Sequence, residues 1–173
     1  MLTKNFYNCL MSQYASSSIS GGIVDYEGGT YAAYCSGTTT KSFYDAMTSL
    51  KVLNTYAAGV RIGSGTTPAT PSNFCLESVI SSGATVTNPN NILVNSEEDG
   101  VSVSATYSVL NIGSDDLIIS EIGLFDSLMV KLGSSTSYVV SMIDHTVLDE
   151  PITIAPSQTK QLTYTIKFNY PTA

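Results

Sequence analysis

Few side chains in this sequence could do chemistry. Its one histidine, His145, sits in Met142-Ile143-Asp144-His145-Thr146-Val147. A histidine can act as a general base when a carboxylate orients it, and Asp144 and Asp149 are the nearby carboxylates. The run reads as a strand, however, and neighbours along a strand point to opposite faces, so Asp144 is badly placed to orient His145. No Gly-x-Ser-x-Gly elbow occurs, and no cysteine sits in a nucleophile context. The cysteines are Cys9, Cys35 and Cys75. Their number is odd and their spacing wide, which excludes a disulfide framework and a tightly spaced zinc set. They read as small buried hydrophobes. Gly63-Ser64-Gly65 has two glycines of a phosphate loop but no following Lys, and a Pro-rich stretch follows in place of a helix. A turn is the expected structure.

The acidic residues divide into two kinds. Glu97-Glu98-Asp99-Gly100 precedes a strand and lacks the alternating ladder of a calcium loop, so it reads as a hairpin turn. Asp115-Asp116 reads the same way. Nothing selects a carboxylate pair for glycoside hydrolysis, and there is no Trp to form a sugar platform. Glu121 differs, because it lies mid-strand in Ile118-Ile119-Ser120-Glu121-Ile122-Gly123-Leu124-Phe125. A buried Glu needs donors. Backbone N–H groups, Arg61, Lys131 or a neighbouring subunit would supply them, and the role is structural. No residue is predicted to be catalytic, cofactor-binding or metal-binding, and no cofactor is implied.

These residues must be positioned by a mainly β chain. A helix is expected over 3–14, with Thr3 as cap and Phe6, Leu10 and Tyr14 on one stripe beside Leu2 and Cys9. Strands follow at 19–27 and 30–36 around a Gly28-Gly29 turn. A second helix is expected over 42–54, with Ser42 as cap and Phe43, Ala46, Met47, Leu50 and Leu53 on one face. After Gly59 everything reads as β. A short strand covers 59–63, and a Thr- and Pro-rich loop follows from Gly65. Val101, Val103, Ala105, Tyr107 and Val109 alternate with Ser and Thr, the mark of a half-buried strand. Further strands are expected at 117–125, 137–147 and 161–169. Leu162, Tyr164, Ile166 and Phe168 point inward in the last of these, and Pro151 and Pro156 bracket a short edge at 152–154. The expected fold is an antiparallel β-sandwich, immunoglobulin-like or jelly-roll-like, with two short helices in the N-terminal third. Residues 1–58 form a helical and hairpin segment, a candidate assembly arm, and residues 59–173 form the sandwich.

Composition narrows the function. The chain has 173 residues, 43% of them hydrophobic, which suffices for one packed domain. Charged residues make up 12%, against about 25% in typical globular proteins. Surfaces covered by neighbouring chains tolerate so little charge better than those of a lone monomer. The net charge is −7 with seven Lys and Arg, so there is no basic run for nucleic acid or an anionic membrane. No apolar run is long enough to span a bilayer. The first ten residues do not read as a secretory signal, and no Asn-x-Ser/Thr acceptor occurs.

Three segments carry a resemblance. They are Gly59-Val-Arg-Ile-Gly-Ser-Gly-Thr-Thr-Pro-Ala-Thr-Pro-Ser-Asn-Phe-Cys-Leu-Glu77, then Ser120-Glu-Ile-Gly-Leu-Phe125, then the stretch from Asp144 through Pro151 and Pro156 to Ile166. In this order, and with the opening Leu2-Thr-Lys-Asn-Phe-Tyr7, the chain resembles small structural virion proteins of tailed bacteriophages. That pattern usually has Gly after the second Pro of the last turn, where this chain has Ser157-Gln158-Thr159. The resemblance implies a non-enzymatic β-sandwich made in the host cytoplasm and assembled in multiple copies in the virion. Its partners would be copies of itself and other virion proteins, without nucleic acid or membrane. Tail, neck or baseplate is the expected place, and capsid decoration is an alternative. An adhesin or carbohydrate-binding module is the other alternative, favoured if Tyr26, Tyr31 and Tyr34 form an exposed cluster.

Overall fold

A computed structural model describes the chain except for residues 16–18, 34–46, 48, 53–56, 90–91 and 171–173. Helix α1 spans Lys4–Ala15, and the strands are β1 (Ile19–Val24), β2 (Thr30–Ala33), β3 (Gly59–Gly63), β4 (Ala84–Thr87), β5 (Leu93–Glu97), β6 (Gly100–Asn111), β7 (Leu117–Leu132), β8 (Ser135–Ile154) and β9 (Thr159–Asn169). All strand pairs are antiparallel. They form two sheets, one of them strongly curled.

The long strands form one folded ribbon. Residues 100–132 run out through β6 and β7, turn at Gly133-Ser134, and run back through β8 and β9. Pairing follows the ribbon from Leu132↔Ser135 to Leu117↔Ile154, and then from Leu110↔Thr159 to Gly100↔Asn169. The ribbon bends at residues 112–116 and 155–158, so β7·β8 lie in one sheet and β6·β9 in the other. Each half carries short strands on its free side: β3 and the β1·β2 hairpin beside β7, and β4 and β5 beside β6. Ile122, Leu124, Val130 and Ile143 of one sheet share a buried core with Ala105, Tyr107, Leu162, Tyr164 and Ile166 of the other. The alternation read in β6 and β9 is the inward face of that second sheet.

Asn111 fixes the bend. Its amide donates to the carbonyls of Asp115 and Ile154, both at 2.8 Å, and its side-chain oxygen accepts the Gly113 N–H. Its backbone N–H donates to Gln158, and its carbonyl accepts the Ser157 N–H. One buried residue thus ties both crossovers together. Ser157 has φ 62°. The turn needs the left-handed region there, and a serine supplies it at a conformational cost.

Several elements differ from expectation. The sheet partners β2 and β8 extend β7 to Leu132 and merge the 137–147 and 152–154 segments into one strand. Between Ile119↔Ile152 and Glu121↔Val147 the β8 side has extra residues, and Pro151 sits there, where no ladder N–H is required. Strands β4 and β5 were not legible, since β5 is exposed along its whole length. The second helix, expected over 42–54, falls largely outside the described residues. Of its described residues Met47 is helical, but Leu50 bridges Val60 in parallel, and the Ser49 carbonyl accepts the Val60 N–H. One helix element, α1, is present among the described residues, and pairing with β3 claims the backbone from Ser49 to Lys51. The β1·β2 loop is longer than two residues, because the Asp25 carboxylate accepts the Glu27 and Gly29 N–H groups and the Tyr31 hydroxyl.

The N-terminal segment packs on the sheets. Leu2 bridges Asp144, and Thr3 N–H donates to the Ile143 carbonyl. Asn5 then bonds to both sides: Nδ2 donates to the carbonyls of Val24 (2.8 Å) and Met142 (3.1 Å), and Oδ1 accepts the Val24 N–H (2.8 Å). Those bonds set the rotation of α1. Phe6 and Cys9 face the core, and Phe6 meets Phe168 at 5.8 Å between ring centroids. Leu10, expected on the buried stripe, faces outward with Tyr7 and Met11. Thr3 is not a side-chain cap, since its hydroxyl donates to the Met142 carbonyl and Pro71 accepts the Lys4 N–H.

Candidate functional site

The most elaborate polar arrangement surrounds Glu121. Alternation along β7 sends Ile122 and Leu124 into the main core and puts Glu121, Gly123 and Phe125 on the other face. Residues 64–80 cover that face, and Leu76 packs there with Phe125 and Met142. The register places Gly63 opposite Glu121, and His145 opposite Gly123. The His145 ring therefore reaches Glu121 diagonally across a glycine.

The Glu121 carboxylate is fully buried and its acceptor positions are filled. Oε1 accepts the N–H of Ser78 (2.8 Å) and Gly65 (3.1 Å). Oε2 accepts the N–H of Glu77 (3.1 Å) and His145 Nε2 (3.0 Å). Burial alone would raise this carboxyl's pKa, but the His145 bond and the three backbone donors together hold it below the usual glutamate range. An ionised carboxylate only accepts, so His145 carries a proton on Nε2. Nδ1 is buried and has no hydrogen-bond partner among the described residues. Of the donors expected for Glu121, the backbone N–H groups are the ones it meets. Arg61 donates instead to the carbonyls of Ala57 (3.3 Å) and Lys51 (3.5 Å).

Close packing explains the Gly-Ser-Gly. A Cβ on Gly63 would lie 2.5 Å from Glu121 Oε1 and 2.6 Å from the Ser78 carbonyl oxygen. A Cβ on Gly65 would lie 2.5 Å from Glu77 Cβ. The glycines admit a carboxylate of the protein's own, so the sequence likeness to a phosphate loop has a structural cause. Outside Glu121 sits a second carboxylate: Glu77 Oε2 accepts the N–H groups of Thr66 and Thr67, both at 2.8 Å. Those bonds hold its pKa down as well.

The remaining candidates are dispersed. Asp144 points away from His145, as alternation requires, and accepts the Tyr164 hydroxyl from the facing sheet. Asp149 is exposed. Burial, together with the Glu121 charge, pushes the Cys75 thiol up, the opposite of what a thiolate nucleophile needs. Cys9 is half-buried, and Cys35 lies outside the described residues. Glu97 and Asp99 form the expected turn and pair with Lys167 at 2.8 and 2.9 Å. Asp115 and Asp116 lie exposed at the ribbon bend. Among the described residues no group of three or more His, Cys, Asp or Glu could hold a metal ion. Tyr31 packs on the main core and Tyr26 on the Leu76 cluster, so they form no common platform, and Tyr34 lies outside the described residues.

Sequence reasoning missed Asn5 and Asn111, and it placed Tyr107 on the buried face without its hydrogen bond. The Tyr107 hydroxyl, buried in the core, donates to the Met47 carbonyl at 2.6 Å, and burial pushes its pKa well up. The one available signal was polarity at positions where the pattern called for apolar residues. Chemically, the Glu121 site is a latch: its lone pairs are spent on backbone and on His145, which leaves none to bind a cation or take a substrate proton. No family model, no curated protein and no solved structure matches this chain.

Proposed function

We propose that this chain is a non-enzymatic structural protein that assembles in multiple copies, as a component of the tail, neck or baseplate of a phage particle. The supporting observation is the outer face of α1. Tyr7, Leu10 and Met11, at helical spacing, are 51%, 38% and 55% exposed, while Phe6 and Cys9 on the inner face already serve the core. The helix has one charged residue, Lys4, in a chain of net charge −7. A second copy meets little like-charge repulsion there. The virion assignment itself draws on the resemblance over 59–77, 120–125 and 144–166. For the fold, the bent ribbon favours a jelly-roll-like sandwich over an immunoglobulin-like one, since β6 pairs β9 while β7 pairs β8.

Sedimentation of the purified chain over a concentration series tests the assembly. The wild type is expected to self-associate. A Tyr7→Ser, Leu10→Lys, Met11→Lys variant is expected to stay monomeric with an unchanged melting temperature. A wild type that remains monomeric at high concentration, and is missing from purified particles by mass spectrometry, overturns the reading.

A further inference from the structure

The loop that covers Glu121 is fastened by carboxylates rather than by a large core. Five of its backbone N–H groups donate to carboxylates, Gly65, Glu77 and Ser78 to Glu121 and Thr66 and Thr67 to Glu77, beside two uncharged backbone bonds, from Lys4 to the Pro71 carbonyl and from Ser64 to the Ser78 carbonyl. Among the described residues, the apolar cluster beneath has three buried members, against nineteen in the main core. Most loop side chains from Ser64 to Ser72 are exposed and add little apolar burial. The loop is thus the part of the molecule whose attachment depends most on ionised carboxylates.

We infer that residues 64–78 form an acid-released lid: protonation of Glu121 and Glu77 frees it from the sheet, uncovering Leu76, Phe125 and Met142 while the folded ribbon stays intact. Protonating Glu121, whose acceptor positions are all filled, displaces one of its donors, and protonating Glu77 weakens its two bonds, because a neutral oxygen accepts less strongly than a charged one. Charged and titratable groups face Glu121 from several elements. From β8 it meets His145, and Arg61 of β3 shares its sheet face. The lid itself brings Glu77 and the Cys75 thiol. From the β1·β2 loop comes Tyr26, beside Glu27 and Asp25. Neutralising Glu121 removes the anion that pairs with His145 and also ends its repulsion of Glu77, so the loss of accepted hydrogen bonds is what frees the lid. The hydrogen bonds that lower both carboxyl pKa values set the sign: the lid's attachment is complete above the ordinary glutamate value, about 4.3, and is lost as pH falls through the lower folded values.

Amide hydrogen exchange on the intact chain between pH 7 and pH 3, corrected for intrinsic rates, tests this. Protection of Gly65, Thr66, Thr67, Glu77 and Ser78 is expected to fall in acid by about tenfold per pH unit for one coupled proton, and by about a hundredfold when both carboxyls release together. Amides of β6 and β9 keep their protection over that range. In Glu77→Gln the slope drops to the one-proton value, and in Glu121→Gln the lid amides are unprotected already at pH 7. Glu77 is exposed, so its variant folds whether or not the Glu121 variant does. Loss of protection in lid and ribbon together, in one transition, overturns the inference. So does a lid that stays protected down to pH 3, or an acid slope that Glu77→Gln leaves unchanged.

Discussion

Replacing Asn111 with Ala removes the bonds that fold the ribbon. The substitution deletes two donated bonds, to Asp115 and the buried Ile154 carbonyl, and one accepted from Gly113. At about 1 kcal/mol net for each bond, with extra cost where a buried partner is left unpaired, the loss comes to about 3–4 kcal/mol. For a chain of this length each kcal/mol moves the melting temperature by about 2–4 °C, so a fall of roughly 6–16 °C follows. Urea unfolding followed by circular dichroism, with m-values compared, measures it. Asn111→Asp is the sharper probe. The carboxylate still accepts from Gly113 but faces two carbonyls it cannot donate to, so this variant is the less stable of the two at pH 7. Its carboxyl pKa is raised in the fold, so stability is regained as pH falls. A loss below about 0.5 kcal/mol for Asn111→Ala refutes the corner assignment, because a surface substitution does no more. An Asn111→Asp variant as stable as wild type at pH 7 refutes it too.

Two further outcomes are expected. Ser157→Gly relieves the positive φ at the same bend and stabilises the fold by about 0.5–1 kcal/mol in the same denaturation assay, since a left-handed residue with a Cβ costs about 1–2 kcal/mol and glycine's flexibility returns part of it. Tyr107→Phe leaves the Met47 carbonyl without its donor inside the core and destabilises by about 1–3 kcal/mol, read as a lower urea midpoint at constant m.

Where one face is buried and the other is wet, the fold was legible from residue order. The alternation in 101–109 and 161–169 is the inward face of β6 and β9, because period two is a direct consequence of strand geometry. Strand β7 gave the weaker signal, since its middle is buried on both faces and its alternation is of chemistry rather than polarity. Strand β5 gave none, being exposed throughout. Helix α1 lies within a residue or two of its expected place and buries Phe6 and Cys9 of the expected stripe, but not Leu10. Leu10 looked like a core residue, and Asn5 took the buried position through bonds to Val24 and Met142.

For the Glu121 site, the sequence determined that a mid-strand carboxylate would need donors and that Asp144 could not orient His145. Both follow from local rules, the cost of burying a charge and the alternation of a strand. Only the tertiary structure decided which donors came. His145 is 24 residues away, Gly65 is 56, and Ser78 is 43. The β3·β7·β8 register brings them together, and register is set by long-range packing rather than by any local pattern. Likewise the sequence suggests a turn at Gly63-Ser64-Gly65, whereas the structure ends β3 at Gly63, runs Ser64 beside Ser78, and shows that the glycines leave room for Glu121.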